Sequence, residues 1–194
     1  MSGSHQSRLT SSHDVELAAL ATAGDRAAFG ELVRRHGSAV RGLLRRMGAT
    51  PPEADDVAQD AFLTAFERIG EFRGQGAFSA WVKKIGARHY LRRLQKERRI
   101  ASLASEVEES GEATPPADAA GKIDLDEALR ALGPAERICV SMCYGAGLSH
   151  AEAADALNLP LGTVKSHVKR GLEKLRARLA PGDAAQEDRR RENG

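Results

Sequence analysis

The sequence predicts an all-α protein of two small helical domains joined by a flexible acidic linker, the second domain containing a helix-turn-helix. Apolar residues recur at spacings of three and four along most of the chain, the period of an amphipathic helix. A stretch rich in Glu, Ala, Ser and Pro interrupts this period. We expect a disordered lead-in over 1–13, a first domain over 14–100, the linker over 101–122, a second domain over 123–180 and a disordered tail over 181–194.

Capping residues divide the first domain into helices. Asp14 is a candidate N-cap for a short helix that ends near Ala23, and Asp25 is a candidate N-cap for a second helix that ends at Gly48. Thr50 and Glu53 have the spacing of a capping box, with proline in the first turn. A third helix therefore begins near Thr50.

This third helix carries an acidic patch within an otherwise basic domain. The patch occupies polar positions near Phe62 and consists of Asp55, Asp56, Gln59 and Asp60. Acids early in a helix are also favoured by the macrodipole, so they need no function to be explained. Docking of a basic partner is the alternative.

A strongly basic helix follows a glycine-broken loop that reads EFRGQGAF over 71–78. Between Trp81 and Arg99 there are eight cations in nineteen residues against the single acid Glu97. Cations beside aromatic residues suit a nucleic-acid strand whose bases are unstacked and held on protein. For Trp81 and Phe78 the alternative is core packing.

The helix-turn-helix lies between 148 and 179. Ser149 and Glu152 form a capping box, and Asn158-Leu159-Pro160 marks the turn. Apolar residues from Val164 to Leu179 line one face of the second helix. The opposite face and its flanks are polar and cationic, which suits a DNA major groove but also fits a solvated face of an ordinary helical hairpin.

The distribution of charge is more informative than the net charge of +2. Residues 25–100 contain sixteen Lys and Arg against nine Asp and Glu, net +7, whereas residues 101–122 contain one Lys against five acids, net −4. Two basic blocks thus flank an acidic connector, which favours a nucleic-acid partner. With no apolar run of membrane-spanning length and no leader pattern, we expect a cytoplasmic protein without membrane insertion.

The two cysteines raise the question of metal or thiol chemistry. Cys139 and Cys143 lie four residues apart, with His150 and His167 nearby in sequence. No Cys-x-x-Cys pair accompanies them, and no base with an orienting group is placed beside a thiol in a recognisable pattern. We therefore expect no metal, no cofactor and no catalysis, although an enzyme that uses these thiols is an alternative.

Two stretches resemble those of an extracytoplasmic-function sigma factor. They read ADDVAQDAFLTAFERIGEFRGQGAFSAWVKKIGARHYLRRL, similar to the family's region two, and LSHAEAADALNLPLGTVKSHVKRGLEKLR, similar to its region four. The resemblance covers nearly everything from Asp25 to Leu179. It implies a protein that binds core RNA polymerase, directs it to a class of promoters and catalyses nothing itself.

The resemblance also implies roles for individual residues. Region four would read the duplex minus-35 element through Thr163, Lys165, Ser166, His167, Lys169 and Arg170. Region two would hold the single-stranded minus-10 element through Phe72, Arg73, Phe78, Trp81, Lys84, Arg88, His89, Arg92 and Arg93. The polymerase clamp would dock on Asp55, Asp56, Gln59, Asp60 and Phe62. An anti-sigma factor would be the inhibitor.

A regulator that works without polymerase is the main alternative. A helix-turn-helix repressor or activator binds duplex operators, and it needs a dimer-forming surface to read paired half-sites. The sequence has no heptad seam for one.

Overall fold

The computed structural model describes residues 8–74, 76–104 and 125–179, with backbone alone over 98–104. Secondary structure in these ranges is helical, which confirms the predicted all-α class. The helices are α1 (Asp14–Thr22), α2 (Arg26–Met47), α3 (Pro51–Glu67), a 3-10 turn (Ile69–Glu71), α4 (Phe78–Ala104), α5 (Leu125–Arg130), α6 (Pro134–Val140), a π-helical turn (Ser141–Gly145), α7 (His150–Leu157) and α8 (Leu161–Leu179). Among the described helices, none combines the length and apolar character that crossing a membrane requires.

Two of the three N-caps predicted for the N-terminal half, α1 to α4, are present, whereas the prediction of Asp14 as an N-cap is wrong. The Asp25 carboxylate accepts hydrogen bonds from the backbone N–H groups of Ala27 and Ala28 at 2.9 and 3.2 Å. The Glu53 carboxylate accepts from the backbone N–H of Thr50 at 2.7 Å, which closes the capping box of α3. A cap of this kind contributes about 1 kcal/mol to stability. Asp14 is the first residue of α1, and His13 occupies the N-cap.

Residues 8–11 are helical, which corrects the predicted disordered lead-in for residues 8–13. Leu9 is fully buried. The Arg35 guanidinium donates hydrogen bonds to the carbonyl groups of Leu9, Thr10 and Ser12 at 2.8 to 3.1 Å. These contacts hold the segment on α2. Residues 1–7 lie outside the described residues.

Helix α4 extends at both ends beyond the helix that the sequence predicted, which runs from Trp81 to about Arg99. It begins at Phe78 and its backbone continues to Ala104, so it includes the first four residues of the predicted linker. The remainder of that linker and the tail over 181–194 lie outside the described residues. The buried side of α4 contains Ala87, Tyr90 and Leu91, which recur at helical spacing.

The C-terminal half, α5 to α8, contains the predicted helix-turn-helix. The Glu152 carboxylate accepts from the backbone N–H of Ser149 at 2.8 Å, and the Ser149 hydroxyl accepts from the backbone N–H of Glu152 at 3.1 Å. Asn158 ends α7 with φ of 53°, a left-handed conformation that asparagine tolerates. Val164, Val168 and Leu175 of α8 are buried, which confirms the predicted apolar stripe up to Leu175, whereas Leu179 at its end is exposed.

The two halves share one buried cluster. It includes Leu43 and Leu44 of α2 together with Ile138 and Met142 of the C-terminal half. The approach is closest at Gly145, where an added Cβ would lie 2.7 Å from Cδ1 of Leu43. Because α2 contacts both α6 and the π-helical turn, the C-terminal half rests directly on the N-terminal half.

Candidate nucleic-acid and protein interfaces

The outward face of α8 is open to solvent. A shallow depression runs along it and is lined by Pro160, Gly162, Thr163, Ser166, Lys169, Arg170 and Glu173. Lys165 and Lys169 are exposed, and neither has an ion pair with any described residue. Of the predicted minus-35 residues, Thr163, Ser166, Lys169 and Arg170 line this depression. Lys165 is exposed but is not part of the lining, and His167 is half-buried.

A buried glutamate fixes α8 on α6. The Lys174 ammonium donates to both carboxylate oxygens of Glu136 at 2.9 and 2.7 Å, and Glu136 is 7% exposed. The hydrogen bond from Lys174 lowers the pKa of Glu136, so the carboxylate stays charged at neutral pH. Arg170 lies 4.0 Å from the same carboxylate and 3.2 Å from Nδ1 of His167. These two contacts position the Arg170 guanidinium at the edge of the outward face of α8.

The basic residues of α4 are divided between two faces. On the first, Lys84 Nζ lies 3.0 Å from Glu152 Oε1 of α7. A cleft beside this ion pair is lined by Arg88, Arg92 and Gln95 of α4 and by Glu152, Asp155 and Ala156 of α7. Lys84 is thus paired with an acid of the helix-turn-helix, whereas Arg88 and Arg92 are exposed.

The second basic face of α4 lies against α3. His89 Nε2 is 3.0 Å from the hydroxyl of Thr64. Arg93 is 3.7 Å from Asp56 and donates to Glu97 at 3.0 Å. The structure thus separates His89 and Arg93 from the other cations predicted to hold the minus-10 strand.

Three aromatic rings pack where the loop enters α4. The ring centroids of Phe72, Phe78 and Trp81 lie 5.4 to 5.7 Å apart. Phe78 is 1% exposed, whereas Phe72 and Trp81 are partly buried and Arg73 is exposed. Of the predicted aromatic contacts, Phe78 thus lies in the core, where it supports the other two rings.

The acidic patch of α3 borders an apolar groove. Asp55, Asp56, Gln59 and Asp60 are exposed, whereas Phe62 is buried. The groove, of about 650 Å³, lies between α2 and α3 and is lined by Arg26, Phe29, Gly30, Val33, Arg41, Asp55, Ala58, Gln59, Phe62, Leu63 and Phe66. Leu63 is 56% exposed, a large apolar surface beside carboxylates. This combination fits a protein partner that offers both cations and apolar side chains.

The cysteines are poor candidates for thiol chemistry. Burial raises the pKa of Cys139 to about 11 and raises that of Cys143 as well. A thiol is nucleophilic only as the thiolate. Across the described part of the chain, no group of three or more His, Cys, Asp or Glu could hold a metal ion.

Comparison with known proteins assigns the chain to a family. Residues 32–100 match the model described as Sigma-70 region 2, and residues 128–177 match the model described as Sigma-70, region 4. The ECF RNA polymerase sigma factor SigM of Mycobacterium tuberculosis is 35% identical over 171 residues, which cover 86% of this chain and 83% of that protein. The chain belongs to the ECF sigma factors.

Two further relatives support the same assignment. The RNA polymerase sigma factor NccH of Alcaligenes xylosoxydans xylosoxydans is 32% identical over 175 residues, which cover 86% of this chain and 94% of that protein. The solved structure of CnrH in complex with the cytosolic domain of CnrY is 31% identical, with a TM-score of 0.52. The alignment covers 86% of this chain and 96% of that chain. Sigma factors of the ECF type are transcription initiation factors.

Two features of this sigma factor were missed by sequence reasoning. Leu63 and Phe66 fall on apolar positions of α3 in the sequence, yet they line the groove at its surface. The small buried residues Ala61 and Ala65 were the available signal, since they complete the core stripe of α3. The approach of Glu152 and Asp155 to α4 had no local signal in the sequence.

Proposed function

We propose that this ECF sigma factor binds core RNA polymerase and directs it to promoters that have a minus-35 and a minus-10 element. The observation that carries the proposal is the open cationic face of α8, a region-four helix, in one chain with a region-two domain that has its own basic helix. In this role the protein supplies recognition and catalyses nothing, and it needs no cofactor. Its place of action is the cytoplasm, where bacterial polymerase transcribes.

The face of α8 would read the minus-35 element as duplex DNA. Lys165 and Lys169 are exposed long cations, suited to phosphate contacts that position the helix. Thr163, Ser166, His167 and Arg170 carry the donors and acceptors that can read base edges in the major groove. Phosphate contacts supply affinity and the base contacts supply sequence choice.

The N-terminal half would hold the minus-10 element as a single strand. Phe72 and Trp81 are partly buried rings on which an extruded base can stack, with Phe78 behind them and Arg73 beside them. Lys84, Arg88 and Arg92 would contact the strand backbone, and His89 and Arg93 would extend this surface toward α3. DNA stacking averages roughly 1.4 kcal/mol per step, so melting depends on surfaces that polymerase adds.

The acidic patch and the neighbouring groove would dock on the polymerase clamp. The exposed Asp55, Asp56, Gln59 and Asp60 offer carboxylates and an amide to a basic surface. Phe62 lines the groove beside Leu63, so an apolar contact would accompany the charge contacts. Apolar burial supplies most of the affinity in such interfaces, while charge complementarity supplies orientation and on-rate.

An anti-sigma factor would control this activity. CnrH, a relative of known structure, has been solved in complex with the cytosolic domain of CnrY. By analogy, we propose that a protein inhibitor covers the docking or DNA-binding surfaces of this chain until a signal releases it.

Run-off transcription from a library of random promoters, with purified bacterial core polymerase, tests the proposed function. We expect starts that depend on this protein and that share a two-part upstream motif. Replacing both Asp56 and Asp60 with Ala should abolish these starts, whereas Glu67→Ala, an exposed acid at the end of the same helix, should not. Tight duplex binding without any polymerase-dependent start would instead favour a repressor or activator.

A further inference from the structure

We propose that a cleft between the two halves of the chain binds a compact polyanion of the diphosphate class, either free or as the diphosphate of a nucleotide. The cleft, of about 260 Å³, lies where the end of α2 and the start of α3 meet α5 and α6. We call it the arginine cleft, and it is lined by Arg45, Arg46, Gly48, Ala49, Pro51, Asp126, Leu129, Arg130 and Arg137. None of these residues belongs to the proposed DNA-binding or polymerase-docking surfaces, so the inference does not depend on the proposed function.

The first support is the excess of positive charge in the cleft. Four of its lining residues are arginines, whereas a single one, Asp126, is acidic. Arg46 Nε lies 2.7 Å from Asp126 Oδ1. Arg45, Arg130 and Arg137 have no ion pair with any described residue. Three uncompensated guanidinium groups in one concave site raise the local potential and attract an anion.

The second support is a buried nitrogen of Arg137. Its Nε is shielded from solvent and has no hydrogen-bond acceptor among the described residues. Buried donors normally have a partner, and a bound ion is a common one where the protein supplies none. Gly48, at the end of α2, has φ of 116°, and an added Cβ there would lie 2.5 Å from Nη2 of Arg137. Glycine at this position thus lets the guanidinium lie against the backbone of the cleft.

The shape and chemistry of the cleft favour a diphosphate. The planar fork of a guanidinium donates two parallel hydrogen bonds to a phosphate group, which makes arginine well suited to phosphate recognition. A diphosphate concentrates several negative charges in a small volume, as three uncompensated arginines require. Pockets that enclose drug-sized ligands measure about 300–1,000 Å³, so this smaller cleft suits the diphosphate itself, with the rest of a nucleotide left outside.

The ligand would contact both halves of the chain. Arg45 and Arg46 belong to α2, whereas Arg130 belongs to α5 and Arg137 to α6. A bound anion would accept hydrogen bonds from both sides and would offset the repulsion between their cations. A ligand that binds only the folded chain also stabilises it, increasingly so at higher ligand concentration. We therefore expect sodium diphosphate to raise the thermal midpoint of the full-length chain.

Isothermal titration of the full-length chain with sodium diphosphate, in low salt without divalent cations, tests the site. The key variant is Arg45→Ala with Arg130→Ala, because both side chains are exposed and their loss should not disturb folding. We expect binding to weaken about tenfold or more, since hydrogen bonds to charged groups are the strong ones. The control is Arg176→Ala with Arg178→Ala, which removes two exposed arginines from the last turn of α8 and should have a much smaller effect.

A second pair of variants tests the single acid of the cleft. Asp126→Asn removes the carboxylate that competes with the ligand for Arg46, so binding should tighten about twofold to fivefold, the range of exposed ion pairs. Glu127→Gln changes the neighbouring exposed acid, which does not line the cleft, and should leave the affinity nearly unchanged. Arg137→Lys keeps the charge but lacks the planar fork, so it should weaken binding.

Equal weakening by the two arginine double variants would overturn the proposal, because binding would then follow net charge. The absence of diphosphate binding by the wild-type chain would also overturn it. ADP, as the nucleotide probe, distinguishes the two sources of the anion: tighter binding of ADP than of diphosphate would support a nucleotide, and the reverse would support the free anion. Run-off transcription tests the proposed function separately, so a failure there leaves the result of this titration unaffected.

Discussion

The two faces of this sigma factor that we propose to bind nucleic acid differ in how the fold presents them. The face of α8 is held from behind by the Glu136–Lys174 pair and faces solvent. The first face of α4 has acids of α7 in front of it, including Glu152 against Lys84. The α8 cations are thus open to solvent, whereas on the first face of α4 Lys84 is paired within the chain and Arg88 and Arg92 are exposed in a cleft that they share with α7 acids.

The difference follows from the order of events at a promoter. Duplex DNA is available before melting, so an open α8 face can contact it first. An unpaired strand exists only after its bases have unstacked, which requires polymerase.

The largest expected effect comes from disturbing the packing of α8 on α6, which supports the α8 face from behind. At Gly171 an added Cβ would lie 2.7 Å from Cγ2 of Val140 and 3.5 Å from Cβ of Glu136. Gly171→Ala should destabilise the chain by about 1–3 kcal/mol through overpacking, measured by urea unfolding. At Gly162 no atom lies within 4 Å, so Gly162→Ala on the same helix should be stabilising by about 0.5–1 kcal/mol. Equal effects would show that α8 does not pack on α6 as described.

The two faces should also differ in how much each contributes to the salt dependence of duplex DNA binding. Lys165→Ala with Lys169→Ala should weaken binding of duplex minus-35 DNA and reduce the slope of log affinity against log salt by about 1 for each phosphate that is no longer neutralised. Arg88→Ala with Arg92→Ala should leave that slope nearly unchanged, because these residues belong to α4 and do not line the α8 depression. Equal reductions for both pairs would contradict the difference between the faces.

A smaller effect on stability is expected at acidic pH, where Glu152 becomes protonated. The pKa of Glu152 is lowered to about 2 in the folded chain from an ordinary value of 4.5. Its charged form therefore contributes stability that is present above about pH 4.5 and is lost as the pH falls toward 2. Since this side chain is 38% exposed, solvent screens the pair, and we expect about 1 kcal/mol or less.

Urea unfolding of wild type and Glu152→Gln at several pH values measures this contribution. The stability difference between them should shrink between pH 4.5 and 2. Taking the difference removes the effect of other carboxylates with lowered pKa values, such as Glu31. A difference that does not depend on pH would show that the charge of Glu152 contributes nothing.

The smallest expected effect concerns the thiols. Cys139 is buried with its pKa raised to about 11, so it should react very slowly with a thiol reagent at neutral pH in the folded chain. Cys139→Ser should leave transcription and the affinity for both DNA forms nearly unchanged apart from a loss of stability. If the Cys139→Ser variant lost activity without losing stability, the result would indicate a functional role for the Cys139 thiol.

Local rules explain the parts of the fold that the sequence predicted. The caps at Asp25, Thr50 and Ser149 depend on residues within three positions, and the stripe that contains Val164 and Val168 depends on helical period alone. Such features can be read from neighbouring residues without any knowledge of tertiary structure.

The features that sequence reasoning missed depend on tertiary contacts. Lys84 and Glu152 are 68 residues apart and meet only because the two halves share a core. Phe78 and Trp81 lie on one turn of α4, yet Phe78 is buried behind the other rings while Trp81 stays partly accessible. The helical period could not predict which of these two rings is more deeply buried, because it gives no information about what packs on each side of the helix.

Site-specific photocrosslinking distinguishes the face of α8 from the first face of α4. The photoreactive residue p-benzoylphenylalanine would replace Gln95, which lines the α4 cleft, or Glu173, which lines the α8 depression. We expect position 173 to crosslink duplex minus-35 DNA with or without polymerase. Position 95 should crosslink the unpaired minus-10 strand in the polymerase complex, because it lies among the exposed cations of α4. Crosslinking of that strand to position 173 in place of position 95 would contradict the assignment of the two faces.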